Sequence, residues 1–237
     1  PAKKKRDRQF DWPVPPEVED VNGDKIADIL FSDSGNGTTT LFLGKAGGAD
    51  FGKPSDVKRF DGWVLSHDLV DLNGDGRLDL VLVRVPKLGI GEALQILLTR
   101  TVDLDVTIFL NQPGGAFGDQ PAHSRTIEVP LVLSISNTAI KVESPYIINF
   151  SGDFTRDGRK DLMVKTADDA ISIFFGGDKK DLFASRPGAT LKTIDTSSFT
   201  SSTVTVDDLN GDGVSDVILH HRDIADQAHV VELFLSK

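Results

Sequence analysis

Apolar residues along the chain fall into short runs of four to eight, separated by polar, glycine-rich segments. Asp28-Ile-Leu-Phe, Leu78-Asp-Leu-Val-Leu-Val-Arg-Val, Asp161-Leu-Met-Val-Lys and Asp216-Val-Ile-Leu-His form one set. Thr39-Thr-Leu-Phe-Leu-Gly44, Val106-Thr-Ile-Phe-Leu-Asn111, Ile171-Ser-Ile-Phe-Phe-Gly176 and Val230-Val-Glu-Leu-Phe-Leu235 form a second. These runs are short, rich in β-branched and aromatic residues and partly alternating, so they predict strands. One segment departs from that period. In Leu88 to Arg100, Ile90, Leu94, Leu97 and Leu98 share a helical face, which predicts a short helix over 88–100. Gly89, Gly91, Glu92 and Gln95 interrupt this longest apolar stretch, and no run approaches the length needed to span a membrane as a helix.

The polar segments repeat. Four of them align without gaps, at 20–28, 71–79, 153–161 and 208–216. Aspartate occupies the first, fifth and ninth positions of all four: Asp20, Asp24, Asp28; Asp71, Asp75, Asp79; Asp153, Asp157, Asp161; Asp208, Asp212, Asp216. The third position is Asn22, Asn73, Thr155 or Asn210, and the sixth is glycine in all but the first, which has Lys25. The second and tenth positions are always apolar.

That spacing carries a chemistry. Oxygen donors at alternate positions of a tight loop converge, the backbone carbonyl of the seventh residue (Ile26, Arg77, Arg159 or Val214) adds another, and the ninth aspartate closes the shell. Six to eight hard oxygens in flexible geometry suit calcium (Ca2+) better than magnesium. Without a cation the clustered carboxylates repel one another, so the loops are expected to depend on the ion. The loops at 71 and 208 are expected to bind it most tightly; those at 20 and 153 carry the substitutions. The competing reading is a set of Asx-rich turns without an ion. An EF-hand is excluded, because the twelfth position is Phe31, Leu82, Val164 or Leu219 rather than glutamate, and strands follow the loops.

A second landmark runs out of phase with the first: Phe51-Gly52, Phe117-Gly118 and Phe183-Ala184. One unit therefore reads strand, acidic loop, strand, turn, strand, Phe-Gly turn, outer strand. The loop-to-loop spacings are 51, 82 and 55 residues, and a four-stranded meander of about 50 residues is a propeller blade. From about residue 17 to 237 the units resemble the FG-GAP (VCBS) repeats of integrin α-subunit propellers and of many secreted bacterial proteins. The resemblance implies an all-β propeller of about four four-stranded blades, with the acidic loops as calcium sites. Residues 1–16 then form a basic, proline-containing leading segment. The long second interval holds two inserts. The first is the helix near 88–100, expected either to cap the sheet edges of its own blade or to dock a partner. The second, around Leu131 to Ser144, is expected to be an extra hairpin or elongated edge strands. Relatives commonly have seven blades, so three arrangements stay open: a four-blade ring, a fragment of a larger propeller, and one chain completed by another. The fourth unit lacks its outer strand, and residues 6–12 are the expected closing strand.

Composition narrows the function classes. Acidic residues outnumber basic ones 36 to 26, for a formal charge of −10, which argues against nucleic acid as a partner. There is no cysteine, so disulfides, thiol catalysis and cysteine-held zinc are excluded. Lys3-Lys4-Lys5-Arg6 is followed by no apolar segment and does not read as a signal peptide. His67, His123, His220, His221 and His229 fall in no metal or triad motif, and no nucleophile-elbow, phosphate-loop or dinucleotide fingerprint occurs. The expected function is a non-catalytic, calcium-stabilised scaffold that presents loops and inserts to a protein or glycan partner, in a secreted or cell-surface setting rich in calcium. The alternatives are a carbohydrate-active enzyme resembling polysaccharide lyases with calcium-bearing propellers, and a lectin using Trp12, Trp63 or Tyr146.

Overall fold

A computed structural model describes residues 14–48, 50–135, 140–143, 147–177, 181–197, 199, 201–223 and 228–236. Their architecture is all-β, with four antiparallel blade-like sheets of three or four strands. The first sheet runs in chain order through β1 (Glu17–Glu19), β2 (Asp28–Asp33), β3 (Thr38–Phe42) and β4 (Asp56–Arg59). The second does the same through β5 (Trp63–Val70), β6 (Asp79–Val85), β7 (Thr101–Phe109) and β8 (His123–Pro130). A two-stranded hairpin follows, β9 (Val132–Ile135) with β10 (Ile140–Glu143), where an extra hairpin was expected. The third sheet is β11 (Ile148–Asn149), β12 (Leu162–Ala167), β13 (Ala170–Phe174) and β14 (Ala189–Lys192). The fourth is β15 (Ser201–Asp207), β16 (Asp216–Asp223) and β17 (Ala228–Phe234), three strands among the described residues. Each sheet joins its first two strands through an acidic loop, as the repeat predicts.

The second strand of each sheet starts at or just after the ninth loop position and reads as a nearly unbroken apolar run. In β6, Leu80 to Val83 are buried without a break, and in β12 so are Leu162 to Val164. Continuous runs of this kind are what a strand covered on both faces requires. The chain divides into two compact units. The first comprises the described residues of 14–70, 76–90 and 103–127, with a core of Val21, Leu30, Leu41, Val64, Leu80, Leu82, Phe109 and Phe117. The second comprises the described residues of 71–75, 91–102 and 128–236, with a core that includes Ile147, Met163, Ile171, Ile173, Val217 and Leu219.

Two expectations change. The predicted helix forms as α1 (Ile90–Thr99), but its apolar face is not covered: none of its residues is buried. Ile90 is 93% exposed, Leu98 76%, Leu94 57% and Leu97 49%. The three Phe-Gly landmarks are also not equivalent. Phe117 and Phe183 are buried and bridge back to Asn111 and Gly176, even though the third lacks its glycine. Phe51 is exposed and packs only its ring, 5.4 Å from that of Phe42. The expected closing strand at 6–12, Trp12 and Tyr146 lie outside the described residues.

Candidate cation-binding loops

The four acidic loops share one backbone. Their fourth and sixth residues all take left-handed φ: Gly23, Gly74, Arg156 and Gly211 at the fourth (+79°, +71°, +58° and +78°), Lys25, Gly76, Gly158 and Gly213 at the sixth (+69°, +81°, +81° and +82°). Two left-handed residues in six fold the chain tightly enough to aim its N–H groups inward. Glycine carries this at little cost, whereas a side chain there costs about 1–2 kcal/mol. Replacing Lys25 by glycine should therefore stabilise the first unit. Relief of strain outweighs the extra freedom of the unfolded chain by about 0.5–1 kcal/mol, read as a higher urea midpoint at unchanged slope. A Lys25→Gly variant less stable than the parent would contradict a strained loop.

The inward N–H groups meet the acidic side chains in a repeated pattern. The first aspartate accepts from the fourth, fifth and sixth residues. Asp20 Oδ1 takes the N–H of Gly23 (2.8 Å) and Asp24 (3.1 Å), and Asp20 Oδ2 takes that of Lys25 (2.8 Å). Asp208 does the same with Gly211, Asp212 and Gly213 at 2.7, 3.1 and 2.8 Å. Asp71 accepts from Gly74 and Asp75, and Asp153 from Asp157 and Gly158. The third-position amides of Asn22, Asn73 and Asn210 accept from the fifth N–H. The fifth carboxylates of Asp24, Asp157 and Asp212 accept from the seventh, Ile26, Arg159 and Val214. Thr155 breaks the series; its hydroxyl turns back to donate to Asp153. Arg77 sends its Nε–H to the carbonyl of Asn111 at 3.3 Å.

The ninth aspartates stand apart. Asp28, Asp79 and Asp161 are fully buried and Asp216 is 1% exposed. One carboxylate oxygen takes the N–H of the second loop residue: Val21 (2.8 Å), Phe154 (2.6 Å) and Leu209 (2.9 Å). The other takes the N–H of the residue two past the end of the third strand: Gly44 (2.7 Å), Asn111 (2.9 Å), Gly176 (2.5 Å) and Ser236 (2.7 Å). This carboxylate therefore pins the loop to the chain leaving the third strand, at the same end of its own sheet. Burial raises the pKa of Asp161, whereas the Ser236 N–H holds Asp216 below the usual carboxylate range. Asn111 adds a second tie, donating its Nδ2 hydrogens to the carbonyls of Val21 (2.7 Å) and Leu78 (2.9 Å). Sequence reasoning missed Asn111. Its only signal is its place, the same two-past-the-strand position held by Gly44, Gly176 and Ser236.

Residues 20–82 match the FG-GAP-like repeat family, a span that takes in the first two loops and the strands after them. This chain carries an FG-GAP-like repeat. Among curated proteins none matches it. Beyond the matched span, the loops at 153 and 208 repeat the backbone and the bonding of the FG-GAP-like segment. In donor chemistry the loops fit a hard cation, since their side-chain donors are carboxylate, carboxamide and hydroxyl oxygens only. Among the described residues no three His, Asp or Glu side chains are grouped so as to hold a metal ion. The carboxylates of the FG-GAP-like loops are instead turned to the loops' own N–H groups.

Beside the first loop, Glu17 on β1 lies near Asp68 on β5. Burial, and then the Asp68 charge, raise Glu17 to about 7; burial raises Asp68 to about 6. Glu17 Oε2 is buried and has no hydrogen-bond partner. His67, whose Nδ1 lies 2.7 Å from Ser32 Oγ, is lowered by burial to about 4. The carboxyls bind protons more tightly folded than unfolded, so their contribution to stability falls as pH rises from about 4 towards 7. The histidine acts oppositely: the folded state binds its proton less tightly, and stability is lost as pH falls from about 6.5 to 4. With two carboxyls set against one histidine, the net contribution of these groups to the melting temperature should fall as pH rises from about 4 to 7. Glu17→Gln should raise the melting temperature at pH 8 more than at pH 5, and equal shifts at both would exclude this acid pair as the cause.

Proposed function

We propose that this chain is a non-catalytic, calcium-stabilised interaction module of a secreted or cell-surface protein. The observation that carries the interaction role is α1. It is an insert between adjacent strands of one sheet, and its apolar stripe Ile90, Leu94, Leu97 and Leu98 faces solvent. Apolar side chains lined up on an exposed helix match the way a helix is taken into a partner's hydrophobic groove. The blades beneath are scaffold, and function on such folds lies in what is grafted onto them. No described helix is long and apolar enough to cross a membrane.

The loops supply the second half of the proposal. The side chains at the first, third, fifth and ninth positions, with the seventh carbonyl, would hold calcium. The bound ion would offset the repulsion among three carboxylates per loop. The loops' own residues form the rest of the cradle: left-handed residues set the turn, and the ninth aspartate fixes it to the sheet. Millimolar calcium outside cells saturates even weak sites of this kind.

Both halves are testable on the full chain. Calorimetric titration of chelator-treated protein should show calcium uptake, tightest at the loops beginning at Asp71 and Asp208. A photo-reactive residue at position 94 should cross-link one discrete protein in the native source. With that protein purified, Leu94→Gln combined with Leu98→Gln should weaken binding at least about tenfold. No calcium uptake at millimolar concentration overturns the first half. Partner binding that ignores the double substitution overturns the second.

A further inference from the structure

We propose that His220 and His229 form a two-imidazole binding site for a divalent transition-metal cation, with Cu2+ preferred over Ni2+ and Zn2+. The site is separate from the acidic loops and does not rest on their binding calcium. The two residues sit on neighbouring antiparallel strands, where His220 of β16 opposes Val231 and His229 of β17 opposes Arg222. They are thus diagonal neighbours, two residues out of register, and project from the same face of the sheet. His229 is exposed and His220 half-buried. Their rings stack at an interplanar angle of 18° with centroids 5.2 Å apart, and His220 Nε2 lies 2.9 Å from His229 Nδ1.

That separation is what one ion requires. With metal–nitrogen bonds of about 2.0–2.1 Å, two nitrogens bound at a right angle lie about 2.9 Å apart. In the metal-free pair the two nitrogens share one hydrogen. A metal takes its place when the ring holding that proton moves it to its outer nitrogen, His220 Nδ1 or His229 Nε2. Two neutral imidazoles then ligate, and no proton is lost overall. The Cβ–Cγ torsions of histidine are soft, so both rings can turn to aim their lone pairs at one point. Imidazole nitrogen selects borderline transition metals over calcium, and copper stands highest in the affinity series. Among the described residues no third His, Asp or Glu joins the pair, so water completes the shell. The affinity expected is therefore micromolar, not that of a closed structural zinc site. Thr203 on β15 and Val231 on β17 flank His220 without charge, and the Arg222 guanidinium opposite His229 weakens cation binding. The net charge of −10 favours cations near the surface as a whole.

The test titrates CuCl2 and then NiCl2 into the full chain, with calcium in large excess to occupy the acidic loops. Calorimetry is paired with electron paramagnetic resonance of the copper form. One site with hyperfine splitting from two nitrogens is expected. His229→Gln and His220→Gln should each weaken it by about tenfold or more, equivalent to about 1.4 kcal/mol, and leave one nitrogen in the spectrum. Arg222→Gln should tighten it. His229 is exposed, so its variant decides the question if His220→Gln proves unstable. Copper affinity equal in His229→Gln and the parent overturns the site, as does a copper site lost in Asp212→Ala but kept in His229→Gln.

Discussion

Asp28→Ala is expected to destabilise the first unit by about 3–5 kcal/mol even in the presence of a chelator. The carboxylate is fully buried and accepts the N–H groups of Val21 and Gly44 at 2.8 and 2.7 Å. Alanine leaves both donors without an acceptor, Val21 in the core and Gly44 at its half-buried edge, and each such orphan costs about 1–3 kcal/mol. Asp24→Ala, four residues earlier in the same loop, removes an exposed side chain whose loss uncovers only exposed donors. With the chelator present it should change stability by no more than about 0.5 kcal/mol. Added calcium separates the two roles. Asp24→Ala should lose the calcium-linked increment that the parent gains, whereas Asp28→Ala should be damaged under both conditions. Urea titrations of the three proteins, with chelator and with calcium chloride, measure all of this. Equal destabilisation of the two variants in chelator would show that the ninth aspartate is not an anchor of the fold.

This contrast bears on what a sequence of this kind reveals. Three aspartates at fixed spacing read alike from composition, and all three were assigned to one cation. The fold gives the ninth a second task, because it begins the inner strand and faces the residue just past the third strand. That partner differs in type from sheet to sheet: Gly44, Asn111, Gly176 and Ser236 share a position and no chemistry, so no motif marks them. The left-handed sixth position was legible through its glycine. The equally left-handed fourth was not, although Gly23, Gly74 and Gly211 stood in plain view, since coordination logic asks nothing of that residue. Strand order and blade-like pairing were legible because β-branched runs and turn residues act locally. The outward stripe of α1 was not. Periodicity says which residues share a face, never which way the face points.

Lys58 illustrates the same limit and carries the second large expected effect. In sequence, Asp56-Val-Lys-Arg59 carries no motif and nothing marks Lys58 as buried. In the fold, the Lys58 ammonium is 3.1 Å from Asp56, donates to the carbonyl of Phe117 at 3.1 Å and sits 5.2 Å from the centre of the Phe109 ring. Asp56 in turn accepts the N–H of Phe117 at 2.9 Å. The two charges, with side chains only 10% and 13% exposed, thus grip both polar groups of one residue and hold its ring in the core. Lys58→Met preserves the apolar stem but strands the Asp56 carboxylate and the Phe117 carbonyl. Removing one partner of a buried pair costs about 3–5 kcal/mol, or roughly 6–20 °C in melting temperature for a chain of this size. Adding Asp56→Asn should recover part of the loss. It removes the stranded charge while an amide oxygen still accepts from Phe117, so a double-mutant cycle should give a coupling of at least about 1 kcal/mol. Strict additivity of the two substitutions would mean that Asp56 and Lys58 hold Phe117 independently, each through its own hydrogen bond, and that their proximity contributes nothing.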